Sequence, residues 1–290
     1  MLKYILKAMR PRQWTKNAFV FAALVFDRQF FKLESLKHTL LAFLLFCLLS
    51  SSVYLFNDIM DVEADRNHPI KKNRPIASGK LPMRVAILIG ILLLAGVFTG
   101  SYLLSPGLFA ICLIYFVLNL AYSKWLKHMP LIDVLVIAAC FVLRVAAGVS
   151  VINVERFSPW LYVVTTLLAL YIGFGKRRAE LMVLVPDNTQ SHRKVLSGYS
   201  LEFVDQLITI VSATTIIAYS LYTFSAPNLP ENHAMMLTIP FVIYGIFRYL
   251  SLLQIKKMGG EPEELLLKDR PLQITILLWA ITVMVVFYLF

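Results

Sequence analysis

Charge is scarce in this chain: of its 290 residues, 16% are Asp, Glu, Lys or Arg, where a soluble domain usually carries about 25%. Polar stretches long enough to fold alone are missing too. The longest runs from 176 to 205, too short for an independent core, so one domain over 1–290 is expected. Cysteine is nearly absent, and the 3 present, Cys47, Cys112 and Cys140, all lie inside apolar runs. That excludes a disulfide framework or a cysteine metal site and marks them as packing residues. The N-terminal segment is basic but has no short apolar core followed by a small-residue cleavage site, so no cleaved signal peptide is expected. An inverted repeat is also lacking, and glycine and proline do not interrupt a matched pair of apolar segments. Both absences argue against a transporter, as does the position of the acids described below, at a membrane boundary rather than at mid-depth.

Apolar sequence is abundant. Hydrophobic residues make up 59% of the chain, and the mean hydropathy is +0.72. Runs of ~20 apolar residues recur along its length, the signature of helices that cross a bilayer. The runs predict spans near 18–31, 40–56, 85–104, 108–122, 131–151, 160–174, 207–224, 235–253 and 272–290. The fold class expected is therefore all-α: a polytopic membrane protein of about nine transmembrane helices.

The net charge is +11. In a soluble protein this would suggest nucleic acid; here it fits the excess of Lys and Arg in cytoplasmic loops, and no nucleic-acid partner is expected. With the N-terminus inside, only Arg28, Lys32, Lys37 and Arg156 of the 28 basic residues fall outside, and Arg144 lies within a span. The long polar loops, about 57–84, 122–130, 176–205 and 254–271, then all face the cytoplasm. The expected location is the inner (plasma) membrane, multi-pass, with the chemistry on the cytoplasmic face.

The end of the second span reads Asn57-Asp58-Ile59-Met60-Asp61-Val62-Glu63-Ala64-Asp65. On a helix advancing about 100° per residue, Asp61 falls about 60° and Asp65 about 20° from Asp58, while Glu63 points the opposite way. Three aspartates on one face repel one another unless cations neutralise them. Mg²⁺ suits such a face, because it takes one or two carboxylates, keeps waters, and completes its shell with phosphate oxygens. The plain alternative is a solvated acidic helix end beside lysines. A basic stretch follows at once, from Arg66 through Lys71, Lys72 and Arg74 to Ser78-Gly79. Acids and bases this close suggest metal and phosphate held together, although Lys80 and Arg84 fit contacts to lipid headgroups equally well.

The pattern Asn57-Asp-x-x-Asp61-x-x-x-Asp65, followed by Arg74-Pro-Ile-Ala-Ser-Gly79, resembles the UbiA superfamily of intramembrane prenyltransferases over essentially the whole chain. The resemblance implies a nine-helix UbiA-like bundle that binds a Mg²⁺-diphosphate above a lipid-open cavity. Further segments narrow it: Arg10-Pro-Arg-Gln-Trp-Thr-Lys-Asn17, Leu126-Lys-His128, Gly175-Lys-Arg-Arg-Ala-Glu-Leu181, Gly260-Glu-Pro-Glu-Glu264 and Asp269-Arg270. Together they are similar to the decaprenyl-phosphate phosphoribosyltransferase branch. That branch implies a glycosyltransferase moving a phosphoribosyl group from phosphoribosyl pyrophosphate to a polyprenyl phosphate, in a membrane, for cell-wall precursor synthesis. Where other members carry a second Asp-rich motif, this chain has Lys176-Arg177-Arg178, which suits a donor bearing an extra phosphate.

The resemblance implies Asn57, Asp58, Asp61 and Asp65 as Mg²⁺ ligands, the three aspartates being the catalytic set. Lys16, Arg66, Lys71, Arg74, Lys127, Lys176 and Arg177 are the candidate phosphate contacts, with Asn57 and Tyr122 also near substrate. Tyr122 and Trp14 fit an interfacial aromatic belt equally well. His68 and His128 lack metal-ligand spacing. Arg144 must face a cavity or be paired within the bundle. A prenyltransferase using polyprenyl diphosphate and an aromatic acceptor is the alternative enzyme. The oligomeric state is left open.

Overall fold

The computed structural model describes residues 1–69, 71–154, 158–184, 194–226, 229–255, 265 and 268–289. Among these the chain is helical, with no β-strand. The helices are α1 (Leu2–Met9), α2 (Ala22–Phe26), α3 (Leu33–Met60), α4 (Val62–Asn67), α5 (Met83–Leu104), α6 (Pro106–Lys124), α7 (Ile132–Val149), α8 (Pro159–Leu184), α9 (Leu201–Ser225), α10 (Ile239–Gln254) and α11 (Arg270–Leu289).

Among the described residues, seven stretches are long and apolar enough to cross a membrane: α3, α5, α6, α7, α9, Ala234–Gln254 and α11. The protein is therefore a multi-pass membrane protein, and these seven correspond to seven of the about nine spans expected. The 18–31 segment supplies no long helix. It is a 3₁₀ helix over Pro11–Phe21, then the 5-residue α2, and Asp27 and Arg28 end it, Arg28 at φ 56. The 160–174 segment does lie in a helix, the 26-residue α8. That helix runs on through Lys176, Arg177 and Arg178 and is not among the seven.

The chain divides into two compact units. The first holds 1–126 and 143–154, and its centre is α3 packed against α5, α6 and the 3₁₀ segment. At 28 residues, α3 is about 42 Å long, more than the ~30 Å hydrocarbon thickness. Its end, with Asn57 and Asp58, can thus stand clear of lipid. A small cluster of Ala8, Leu55, Val62, Ile76, Leu81 and Ala86 packs beneath that end. The second unit holds 127–142 and 155–290 and is built on the α8–α9 pair, with α10 and α11 against each other. Val134, Tyr171, Phe174, Ile208, Tyr249 and Leu252 lie in its core.

Candidate active site

In the first unit the acidic motif does not form one continuous helix. α3 ends at Met60, Asp61 takes φ −94 and ψ 10 between the two helices, and α4 begins at Val62. Asp58 and Asp65 nevertheless meet, at 2% and 3% exposure. The Nη1 of Arg74 lies 3.1 Å from Oδ1 of Asp58 and 2.6 Å from Oδ2 of Asp65. Asp61 is half-buried, and Glu63 is exposed, as the helical-face argument requires.

The Arg74-Pro-Ile-Ala-Ser-Gly turn explains why Arg74 reaches both acids. The amides of Ser78, Gly79 and Leu81 donate to the carbonyls of Arg74, Ile76 and Pro75. Gly79 takes φ 73, a left-handed conformation cheap only for glycine. Pro75, Ile76 and Ala77 are buried, so the turn is anchored from below and the guanidinium projects from its start. Arg66 lies exposed, its Nε donating to the Ala77 carbonyl at 3.4 Å. The amide of Lys71 donates to Nδ1 of His68 at 3.3 Å. Burial, with Lys71 next in weight, holds that imidazole below its ordinary pKa, consistent with a neutral ring that can accept.

Arg10 joins the site, although in the sequence it stands only as an inside cation and as the first residue of the Arg10-to-Asn17 segment, with no role among the candidate site residues. Its Nη2 lies 2.5 Å from Oδ1 of Asp58, and the guanidinium sits over the Tyr54 ring, 4.9 Å from its centroid. Arg10 takes φ 54 between α1 and the 3₁₀ segment, so its direction is set by a kink that no periodicity reveals. Asn57 is also engaged: its Oδ1 accepts from the Ser123 hydroxyl at 2.5 Å, next to Tyr122, which is half-buried. Lys16 is half-buried on the 3₁₀ segment. The neighbouring Asn17 is fixed from inside the bundle, its Oδ1 accepting from Arg144 Nε at 2.8 Å, while Arg144 Nη2 donates to the Tyr115 hydroxyl at 2.8 Å. Arg144 is therefore paired within the unit. Trp14 does more than sit at an interface, since its indole N–H donates to Ser51 of α3 at 3.0 Å.

These residues fit Mg²⁺ on a specific count. Two carboxylate oxygens, of Asp58 and Asp65, converge on one cationic nitrogen, showing that the pair can share a single positive charge. Mg²⁺ asks for that much, one or two carboxylates, with water and substrate phosphate completing its shell.

In the second unit, Lys127 and Lys176 are half-buried. Arg177 is 1% exposed and lies against Asp133 and Glu180. Arg178 pairs with Asp205 at 2.6 Å and donates to the Leu253 carbonyl at 3.0 Å, tying α8 to its neighbours. Arg248 grips both oxygens of Asp269 at 3.1 and 2.8 Å, and Asp269 also accepts from the Leu272 amide at the start of α11. The Gly260-to-Glu264 segment lies outside the described residues.

A profile described as the UbiA prenyltransferase family matches residues 18–262. The chain is 34% identical to a protein of Mycobacterium tuberculosis named decaprenyl-phosphate phosphoribosyltransferase, over 96% of this chain and 92% of the relative. To the Corynebacterium glutamicum protein of that name it is 33% identical, over 98% and 87%. Among solved structures, a UbiA homolog from Archaeoglobus fulgidus bound to GPP and Mg²⁺ matches with a TM-score of 0.75 at 21% identity, covering 98% of this chain and 99% of that one. That last likeness speaks for the fold. Together with the Asp58–Asp65 pair in its Asn-Asp-x-x-Asp-x-x-x-Asp frame, these matches identify the chain as a membrane-embedded transferase belonging to the UbiA prenyltransferase family.

Proposed function

We propose that the protein transfers a 5-phosphoribosyl group from phosphoribosyl pyrophosphate to a polyprenyl phosphate of decaprenyl type, releasing diphosphate, with dependence on Mg²⁺. The observation that carries this reading is the charge balance of the first-unit site: one convergent pair of carboxylates, Asp58 and Asp65, with Arg10 and Arg74 against them. A site with few metal ligands and several fixed cations suits a small, phosphate-rich donor. The names of the relatives that match nearly the whole chain support the same reading.

In this reading Asp58 and Asp65 hold the metal, with Asn57 and Asp61 beside them. Bound Mg²⁺ would supply charge stabilisation to the departing diphosphate. Arg74, Lys71, Lys16 and Arg66 are the first unit's candidates for phosphate oxygens, where Arg and Lys act through charge-assisted hydrogen bonds. Lys127 and Lys176, in the second unit, are phosphate candidates on the strength of the sequence pattern alone. The acceptor phosphate is already an anion at neutral pH, so the reaction needs no strong general base. Its oxygen attacks C1 of the ribose as the C1–O bond to diphosphate breaks, inverting the anomeric centre. The residues contribute position and electrostatics rather than proton transfer. The site faces the cytoplasm of the inner membrane, where a soluble donor is available, and Tyr122 lies beside substrate.

The direct test is to incubate purified protein with Mg²⁺, labelled phosphoribosyl pyrophosphate and polyprenyl phosphate. Label in the lipid phase, lost when chelator is added, is the expected result. Label confined to water while polyprenyl diphosphate is consumed with an aromatic acid would overturn it.

A further inference from the structure

Arg177 was expected to meet a phosphate, but the second unit places it elsewhere. Its Nε lies 2.7 Å from Oδ2 of Asp133, with side-chain exposures of 1% and 0%, and its Nη1 donates to Glu180, one turn further along α8. The other oxygen of Asp133 accepts from the Tyr199 hydroxyl at 2.7 Å, and that hydroxyl accepts from the Leu131 amide at 2.6 Å. Leu131 takes φ 67, a conformation a branched side chain holds only when its surroundings impose it. The two backbone segments also touch. A Cβ on Gly198 would fall 2.3 Å from Pro130 Cγ, so only glycine allows the approach. Burial, and then the bond to Asp133, push the Tyr199 hydroxyl well above its ordinary pKa, which keeps it a donor to Asp133.

A phosphate could reach this guanidinium only by displacing two carboxylates from a buried site, leaving Asp133 as an unpaired buried charge, a state proteins avoid. We propose instead that Arg177 is a positioning residue: with Asp133 and Tyr199 it locks α8 to the start of α7 and to the segment before α9, so that Lys127 and Lys176 are held ready for the substrate's phosphate groups. The inference rests on the phosphoribosyl-transfer reading for the identity of that substrate. Arg177 meets its two acids differently, Glu180 through a hydrogen bond from Nη1 and Asp133 as a buried ion pair without hydrogen-bond geometry, and lysine, a point charge on a different stem, does not reproduce both contacts.

The test uses the full-length protein in lipid nanodiscs, wild type beside Tyr199→Phe, Asp133→Asn and Arg177→Lys. Tyr199→Phe is the gentle variant, removing one oxygen from the centre of the network. Without substrate, hydrogen exchange of the Leu131 amide should quicken about tenfold, the loss of one hydrogen bond. In steady-state kinetics with Mg²⁺, all three variants should raise the KM for phosphoribosyl pyrophosphate about tenfold. Their kcat and acceptor KM should stay near wild type. If Tyr199→Phe changes neither the exchange nor the donor KM while Arg177→Lys raises that KM, Arg177 contacts the donor directly and the proposal fails. It also fails if kcat and both KM values move together with the amount of folded protein, which is mere support of the fold. Should wild type form no ribosylated lipid, the functional reading fails on its own, and exchange at Leu131 alone decides the positioning role.

Discussion

One nitrogen of Arg74, Nη1, stands 2.6 Å from Oδ2 of Asp65 and at the same time 3.1 Å from Oδ1 of Asp58. Arg74 thereby occupies the point on which the two carboxylates converge, where a metal would also compete for them. Replacing it should separate two effects. In Arg74→Met the Mg²⁺ concentration for half-maximal activity should fall, because a competing cation is gone. The donor KM should rise roughly ten- to a hundredfold, because a charged phosphate contact is gone. Metal titrations at saturating donor and donor titrations at saturating metal read the two separately. Unchanged values for both would remove Arg74 from the site.

The acids should rank by burial and convergence. Asp58→Asn and Asp65→Asn remove the buried pair and should each lower kcat/KM by more than a hundredfold, in line with several kcal/mol of lost electrostatic stabilisation, about 2.7–4. Asp61→Asn, at the helix break, should cost less. Glu63→Gln, exposed on the far side, should stay within about ±0.5 kcal/mol, the range of an ordinary surface change. Equal losses from Glu63→Gln and Asp58→Asn would contradict the geometry.

Orientation can be checked without activity. Ser78 and Glu231 are both exposed, and the native Cys47, Cys112 and Cys140 are buried. A cysteine at Ser78→Cys should react with a membrane-impermeant maleimide only from the cytoplasmic side, and one at Glu231→Cys only from the other. Labelling of Ser78→Cys in intact cells would reverse the topology and with it the access of a soluble donor.

The convergence of Asp58 and Asp65 was legible from the helical spacing: Asp61 breaks the helix for one residue between α3 and α4, yet both acids still reach Arg74 and Glu63 is still exposed. That Arg74 lies beside the acids was legible in outline from its place in the turn that follows them. Arg10 was not, because a left-handed residue at a helix junction has no pattern, and a charge near the N-terminus reads as positive-inside. Arg177 misled for a related reason. Lys176, Arg177 and Arg178 look alike in sequence, but α8 turns each about 100° from the last, which sends Arg177 inward to Asp133 and Arg178 to Asp205. Asp133 carried a usable signal as an acid at the head of an apolar run, where an unpaired charge is costly. The 18–31 run differs in its bounds: its helical turns begin earlier, at Pro11, and end at Phe26, before Asp27 and Arg28.

The choice of donor is the central claim, and calorimetry on purified protein in nanodiscs tests it most directly. In the presence of Mg²⁺, phosphoribosyl pyrophosphate should bind, binding should be lost in Asp58→Asn, and a prenyl diphosphate should fail to displace it. Binding of the prenyl diphosphate with none of phosphoribosyl pyrophosphate would contradict the proposed reaction and leave a prenyl-group transferase on the same fold.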